Sequence, residues 1–558
     1  MSPLSREIGQ SDQNILPIGV PPKMLSYPPI KRKVVELGAR TARLAERAKG
    51  RPVRLGILSM YDVENNAVRI LAATLRAAGH EVTEIYFKDW ISNHLAPASD
   101  TELANLTKLA EDRQLDIVCI SLRASAYFHS ARIITQHLHA TTELAVLWGG
   151  MHPTLVPDEC MEFADLVLEG EAEHAITDFA DRLRDGVSIH DCGNVRINMA
   201  DGSVVSNPLR PLITDLDTLE FRDYTSHEDK FFIWGSKVDK GDPMHGDPVF
   251  QMMGSRGCIY KCSYCYNSTY KASIYPKQKW FRVRSPQSMI DEIKAAREHW
   301  DFKRVRFDDE VFFFQKRWLA EFCELFPREI GLPFEIFIEP KLVTEERISA
   351  LKKAGLTAIY MGIQASERVT EDLYDRNVKT TTLADISKLF KRYDVKPHYQ
   401  LIFDDPVSTE GDKRALFEMI LEFPRPFDLY LFSMTVFPGS ELSAKLLEEG
   451  VISEYDIEGA NTRVFYQHRV NLEYPRPVED TFWITLIQML SKDFVPRPVL
   501  KQLAKSKFLK RHPWPLVKIA HTTNYVKMGQ VASKMLVRGE MTKTLWRRWA
   551  SAERVITS

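Results

Sequence analysis

Two stretches of the chain, 52–190 and 249–452, alternate short apolar runs with segments of helical spacing, and this alternation constrains the fold most. In the first, VRLGILSMY (53–61), EVTEIYF (81–87), DIVCISL (116–122), ELAVLWGG (143–150) and ADLVLEGE (164–171) have the composition and length of buried strands. AVRILAATLRAAGH and SARIITQHLHA between them have the helical period. Strands that alternate with helices and end in glycine indicate a parallel, doubly wound sheet. Ligands of such sheets sit beyond the strand carboxyl ends. In the second stretch, VFQMMG, RVRFDD, FEIFIE, AIYMGI, HYQLIF and LYLFSMTVF form six strand-helix units. Six units suggest a partial (β/α)6 barrel, with functional groups again at the strand ends.

A chain of 558 residues exceeds one ordinary core, and the pattern divides it. Residues 1–50 read as a Pro-rich arm and a polar helix, 51–190 as the doubly wound domain and 191–248 as a connector with short strands. Residues 249–455 form the partial barrel and 456–558 a mostly helical, basic end. The fold class is therefore α/β with a helical C-terminal region. The net charge of −1 gives no global pull toward nucleic acid, and no nucleic-acid partner is expected. Charge is nevertheless uneven: residues 501–558 hold 13 Lys and Arg against 2 Asp and Glu, with Trp514, Trp546 and Trp549 among them. A solvated helical face explains such a pattern most simply; peripheral contact with a membrane surface is the alternative. No run of about 18 apolar residues occurs, so no spanning helix is expected. The first thirty residues do not read as a secretory signal.

Of seven cysteines, three fall within eight positions, in SRGCIYKCSYCYN, just after the first barrel strand. Clustered thiols in a chain too poor in cysteine for a disulfide scaffold indicate a metal site in a reducing, cytoplasmic compartment. Cys258, Cys262 and Cys265, with gaps of three and two residues, can wrap three corners of a 4Fe–4S cubane. A fourth iron without a protein ligand is an open catalytic position. The amine and carboxylate of S-adenosylmethionine can chelate it, and an electron from the cluster can break the sulfonium–carbon bond. A zinc knot would want four ligands, and no second pair is present. Cys119, Cys160, Cys192 and Cys323 are isolated and read as packing residues.

With this motif the sequence resembles the radical S-adenosylmethionine superfamily, and more narrowly its cobalamin-binding branch, over about residues 50–455. The resemblance implies S-adenosylmethionine contacts from Tyr264, just before the third cysteine, and from Gln364 and Ser366 in IYMGIQASERVTEDLYDR. The family's G-G-E element is replaced by Asp308, Asp309 and Glu310, which can hold the methionine ammonium through charge-assisted hydrogen bonds. FPGSEL (437–442) resembles the element after the sixth strand. Upstream, WGGMHPTLVPDE and LEGEAEHAI resemble the loops around the cobalamin tail, which implies contacts from Gly149, Gly150, Gly170 and Glu171. The D-x-H-x-x-G motif of some cobalamin proteins is absent: Asp62-Val63-Glu64-Asn65-Asn66-Ala67 stands there, so no histidine ligand to cobalt comes from this loop. Asp404 and Asp405 end a strand, where they either face substrate or simply terminate it, and His152 is a loop histidine that is not named a ligand.

The resemblance implies three cofactors: a 4Fe–4S cluster, S-adenosylmethionine and cobalamin. It also implies an electron donor such as flavodoxin or ferredoxin. The leading reading is methylation of an unactivated carbon of a small-molecule or lipid-like substrate. The second is an oxidative cyclase or ring-rearranging enzyme acting on a tetrapyrrole. The third is a binding or regulatory protein with a degenerate cobalamin domain. No residue is assigned as catalytic.

Overall fold

The computed structural model describes residues 34–89, 97–224, 228–312, 315–454, 457 and 476–541. The N-terminal arm, Trp546 and Trp549 lie outside them. The chain forms two sheets with a helical C-terminal region, the α/β architecture the alternation predicts.

The first sheet has nine strands: β1 (Arg54–Met60), β2 (Glu81–Phe87), β3 (Ile117–Ser121), β4 (Ala145–Gly149), β5 (Leu166–Leu168), β6 (Val195–Asn198), β7 (Val204–Ser206), β8 (Lys230–Trp234) and β9 (Lys237–Lys240). Their order is β7-β6-β5-β4-β3-β1-β2-β8-β9. From β5 to β8 neighbours are parallel; β6, β7 and β9 run antiparallel at the margins. Helices cover both faces, so central strands are buried on alternate positions alike, as in β1, where six of seven residues are buried. The segment read as a connector therefore returns to this sheet at both edges before entering the barrel. The helix Asp100–Asp112 has no counterpart in the sequence reading; Ser99 and Glu102 form a capping box at its start.

The second sheet is all parallel, in chain order: β10 (Val249–Met252), β13 (Arg304–Phe307), β14 (Phe334–Ile338), β15 (Leu356–Gln364), β16 (Lys396–Phe403) and β17 (Asp428–Ser433). It is the six-unit half-barrel expected. A two-stranded ribbon, β11 (Ser255–Arg256) with β12 (Arg282–Val283), stands at its mouth. The helix Val478–Leu490, buried from Thr481 onward, packs between Glu410–Leu421 and the long helix Trp514–Val537.

Buried charge joins the two lobes. Arg69, on the helix Asn66–Ala77, donates to both oxygens of Asp242 at 2.5 and 2.8 Å. Lys230 of β8 reaches the same carboxylate at 3.1 Å, and the Arg69 guanidinium lies over the rings of Tyr86 and Tyr224. Arg222 then pairs at 2.5 Å with Glu292, on the barrel helix Pro286–Arg297. Burial alone would raise the Asp242 carboxyl; Arg69 and Lys230 outweigh it and hold it well below the usual carboxylate range.

A second buried acid sets the turn leading to the cysteines. Asp309, fully buried after β13, accepts from the Gly254 amide at 3.2 Å and from the Ser255 hydroxyl. Burial outweighs these bonds and lifts its carboxyl to about 7.

Removing one partner of a buried charge group leaves the other uncompensated, so Arg69→Met is expected to cost roughly 3–5 kcal/mol at neutral pH, read as a lower urea midpoint. Because the Asp242 pKa is depressed on folding, this contribution is full above about pH 4, the unfolded value, and the gap between parent and variant narrows as the pH falls further. Asp309 has the opposite sign. The folded chain holds its proton between about pH 4 and pH 7, so stability falls as the pH rises through that window, by up to roughly 1.4 kcal/mol per unit. Asp309→Asn should flatten that part of the profile in urea titrations; an unchanged slope would contradict the assignment.

Candidate active site

The strand carboxyl ends of the two sheets face each other across a cleft of ≈ 1170 Å³. One wall is built by the loops after β1, β3, β4 and β5, and includes the point where strand order reverses between β1 and β3. The other wall is the mouth of the half-barrel. The facing of the two rims follows from the direction of every parallel strand.

Cys258, Cys262 and Cys265 all line the cleft, on the loop that leaves β11. The loop is pinned from several sides. The Cys265 amide donates to the Cys262 carbonyl at 3.1 Å. Ser263 donates from its amide to Tyr374 O at 3.2 Å and from its hydroxyl to Leu373 O at 2.6 Å. Ser268 donates to Cys262 O at 2.9 Å. Burial, reinforced by the neighbouring thiols and Glu310, lifts Cys258 to about 11 and Cys265 higher still. Three thiols so placed ionise together only against added positive charge, and a cluster of thiolate-bound iron supplies it. The donor set thus fits an iron–sulfur cluster with three protein ligands. Among the described residues no three or more His, Cys, Asp or Glu side chains are gathered as a single ion would need.

The other expected residues divide. Tyr264, Asp308, Asp309, Glu310 and Gln364 line the cleft; Ser366 does not. Ser366 caps the helix Glu367–Asp372 and donates to Asp412 at 2.8 Å. Tyr264 sits edge-on to Tyr374 at 4.9 Å. Gln364 ends β15 with φ +71°, beside a shift of register against β16. The acidic triplet is largely engaged: Asp308 pairs with Arg306 at 2.6 Å, Asp309 holds the turn described above, and Glu310 accepts from Tyr266. Burial raises the Glu310 carboxyl, with Tyr266 and Asn267 opposing.

On the opposite wall, Gly149, Gly150, Gly170 and Glu171 line the cleft as expected. Gly150, at φ +108°, passes so close to Leu122 that a Cβ would lie 2.9 Å from its carbonyl oxygen. Gly170, at φ +73°, lies against Tyr275, whose hydroxyl a Cβ would meet at 1.9 Å. Gly149 has ordinary room for a Cβ. Glu171 is held by Arg256 and Arg282, both at 2.9 Å, and by the Ile213 amide at 2.8 Å. Burial would raise its carboxyl, but these donors lower it. Arg256 also pairs with Glu173. This places a cysteine-side residue directly on the glycine-rich loop of the other lobe. His152 is fully buried away from the cleft, with Nδ1 3.0 Å from Ser125. Asp404 pairs with Arg476 and Asp405 holds the Val407 and Ser408 amides, so both serve the strand end.

Several cleft residues have roles that the sequence does not assign. Glu64 occupies the position of the missing histidine and reaches Arg306 of the barrel at 3.9 Å. Asp62 pairs with Arg123 at 2.5 Å, one residue on each side of the strand-order reversal. Glu339, at the end of β14, lies 3.5 Å from Arg376, both nearly buried beside the cysteine loop. Their signal was position alone: a polar residue just past a strand's carboxyl end.

Comparison with known proteins agrees with this division. Residues 55–180 match the B12 binding domain and residues 252–420 the Radical SAM superfamily. An uncharacterized methyltransferase of Pyrococcus horikoshii is 24% identical over 356 residues, 62% of this chain and 72% of that protein. The anaerobic magnesium-protoporphyrin IX monomethyl ester cyclase of Rubrivivax gelatinosus is 24% identical over 406 residues, 71% of this chain and 68% of that protein. The structure of the radical S-adenosylmethionine methyltransferase TsrM from Kitasatospora setae, with cobalamin and a [4Fe-4S] cluster bound, superposes with a TM-score of 0.57 at 14% identity, covering 85% of this chain and 100% of that one. The chain belongs to the radical S-adenosylmethionine superfamily, in the branch that carries a B12-binding domain ahead of the barrel.

Proposed function

We propose that this chain is a cobalamin-dependent radical S-adenosylmethionine enzyme that methylates an unactivated carbon of a small-molecule or lipid-like substrate. The single observation that carries the reading is the shared cleft, with three thiols on one wall and two close-packed glycine loops on the other. Cys258, Cys262 and Cys265 would hold a 4Fe–4S cluster. Tyr264, Asp308, Glu310 and Gln364 would flank S-adenosylmethionine, while Asp309 and Ser366 support the loops around it. Gly149, Gly150 and Gly170 would let backbone approach cobalamin, with Glu171 fixing the loop. Together these groups supply one-electron cleavage of S-adenosylmethionine and a methyl group for a carbon-centred radical.

The chain's own work is to bind, orient and exclude water. Arg256 and Arg282 hold the two walls at one separation through Glu171. Tyr266, Tyr270 and Trp280, packed ring to ring beside the cysteine loop, form an apolar side to the cleft that keeps water from reactive intermediates. An electron donor of the flavodoxin or ferredoxin kind completes the proposal. Among the described residues no helix is long and apolar enough to cross a membrane.

Ring closure on a tetrapyrrole is the second reading, favoured by the cyclase of Rubrivivax gelatinosus among the relatives. Both readings require the same cofactors and differ in the fate of the methyl group.

Anaerobic reconstitution with iron, sulfide and cobalamin is expected to yield one 4Fe–4S cluster per chain, a cobalamin absorption spectrum and reductive formation of 5′-deoxyadenosine. Zinc in the cysteine loop, or a cluster with four protein ligands, would refute the proposal. Cys262→Ala should lose cluster iron and 5′-deoxyadenosine formation to background while keeping cobalamin. Isotope from methyl-labelled S-adenosylmethionine should appear in the product of a methyltransferase and be absent from that of a cyclase.

A further inference from the structure

The long C-terminal helix presents the wrong kind of face to water. Leu516, Val517, Ala520, Thr523 and Asn524 turn inward, packed with the helix Val478–Leu490. At about 100° per residue, Trp514, Ile519, Tyr525, Val526, Leu536 and Val537 fall on the opposite half of the surface. All six are exposed, Trp514 by 54%, Leu536 by 60% and Val537 by 88%. Lys518 is the one charged residue among them. Phe508 is also exposed, by 65%, on the preceding short helix. A contiguous apolar face of this kind marks an interaction surface rather than a solvated helix.

Its surroundings specify the partner. Residues 495–539 contain ten Lys and Arg and no Asp or Glu. Some of these cations pair inward, as Lys510 does with Glu410 and Lys527 with Asp428. Lys518 is exposed within the apolar face, Lys505, Lys507 and Arg511 are exposed on the segment just before the helix, and Lys534 and Arg538 are exposed on the other side of its last turns. Aromatic and aliphatic side chains framed by cations, with no acid among them, match the boundary between acyl chains and anionic headgroups. The helix is too polar to cross a bilayer, so the contact is lateral.

The geometry also says where the cleft would lie. Lys527 meets Asp428 at the start of β17, and Glu540 lies 3.4 Å from Arg304 at the start of β13. The helix therefore runs along the flank to the amino-end floor of the half-barrel, away from the cleft. We propose that the outward face of Trp514–Val537 docks this protein on an anionic lipid surface, with the cleft left open to receive substrate.

The test is sedimentation of the full chain with phosphatidylglycerol–phosphatidylcholine vesicles and with phosphatidylcholine alone, at low and high salt. It reads the surface without any cofactor, so it stands or falls apart from the enzymology. Binding to the anionic vesicles is expected, weakened by salt. Both the apolar variant Ile519→Ser with Leu536→Ser and the charge variant Arg511→Glu with Lys518→Glu should weaken it by roughly tenfold or more, with thermal unfolding unchanged. No binding above phosphatidylcholine at low salt overturns the proposal. So does an apolar variant that binds like the parent, since the surface then reads charge alone, as an acidic protein partner would require. A dimer of the parent that the apolar variant converts to monomer would assign the face to a second copy instead.

Discussion

The structure depends on the ion pairs that Glu171 and Glu173 make with Arg256 and Arg282. Arg256 is two residues before the first cysteine, and Glu171 follows the glycine that closes β5. A cleft between two separate sheets has no fixed width unless something crosses it. Here charge-assisted bonds cross it, from side chains mostly removed from water, where such bonds gain strength and tolerate little misplacement. Tyr275, against Gly170, adds a steric stop beside them. Two groups bound to opposite walls would therefore meet at a distance set by the protein rather than by the ligands.

The same economy governs the remaining charges around the cleft. Arg222, Arg284 and Arg306 are each paired with a carboxylate, and Asp62 with Arg123. Paired charges are poor ligands for a passing ion and good struts. What stays available on the barrel wall is the set of three thiols. Pairing of most of the competing charges is a way of leaving one chemistry open, and it explains why so polar a cleft directs attention to sulfur.

How much of this could be read in advance follows from range. The strands β1 to β5 and the six of the half-barrel were legible because each is an apolar run bounded by turn residues, and parallel pairing follows from the intervening helices. The cysteines were legible because their spacing is local. The helix Asp100–Asp112 has a local signal of its own, the Ser99–Glu102 capping box. Strands β6 to β9 are short and partly exposed, and nothing local tells an edge strand which sheet it joins. Glu171 and Arg256 are 85 positions apart, and Arg69 and Asp242 are 173 apart. Such pairs exist only once the fold has brought them together. The acidic triplet shows the converse limit: Asp308, Asp309 and Glu310 do reach the cleft, but their neighbours, invisible in the sequence, had already engaged them.

Strand β8 is joined edge to edge with β2, and only then does the chain proceed to β10. The first lobe is thus sewn shut by the very segment that leads to the second. Rigid-body swinging of one lobe away from the other would have to break the Arg222–Glu292 pair and the bridges from Arg256 and Arg282 to Glu171. Admission of a bulky guest must then fall to the loops at the rim, much as a drawer opens without moving the cabinet, and the traffic in and out is a matter of local rearrangement rather than of hinging.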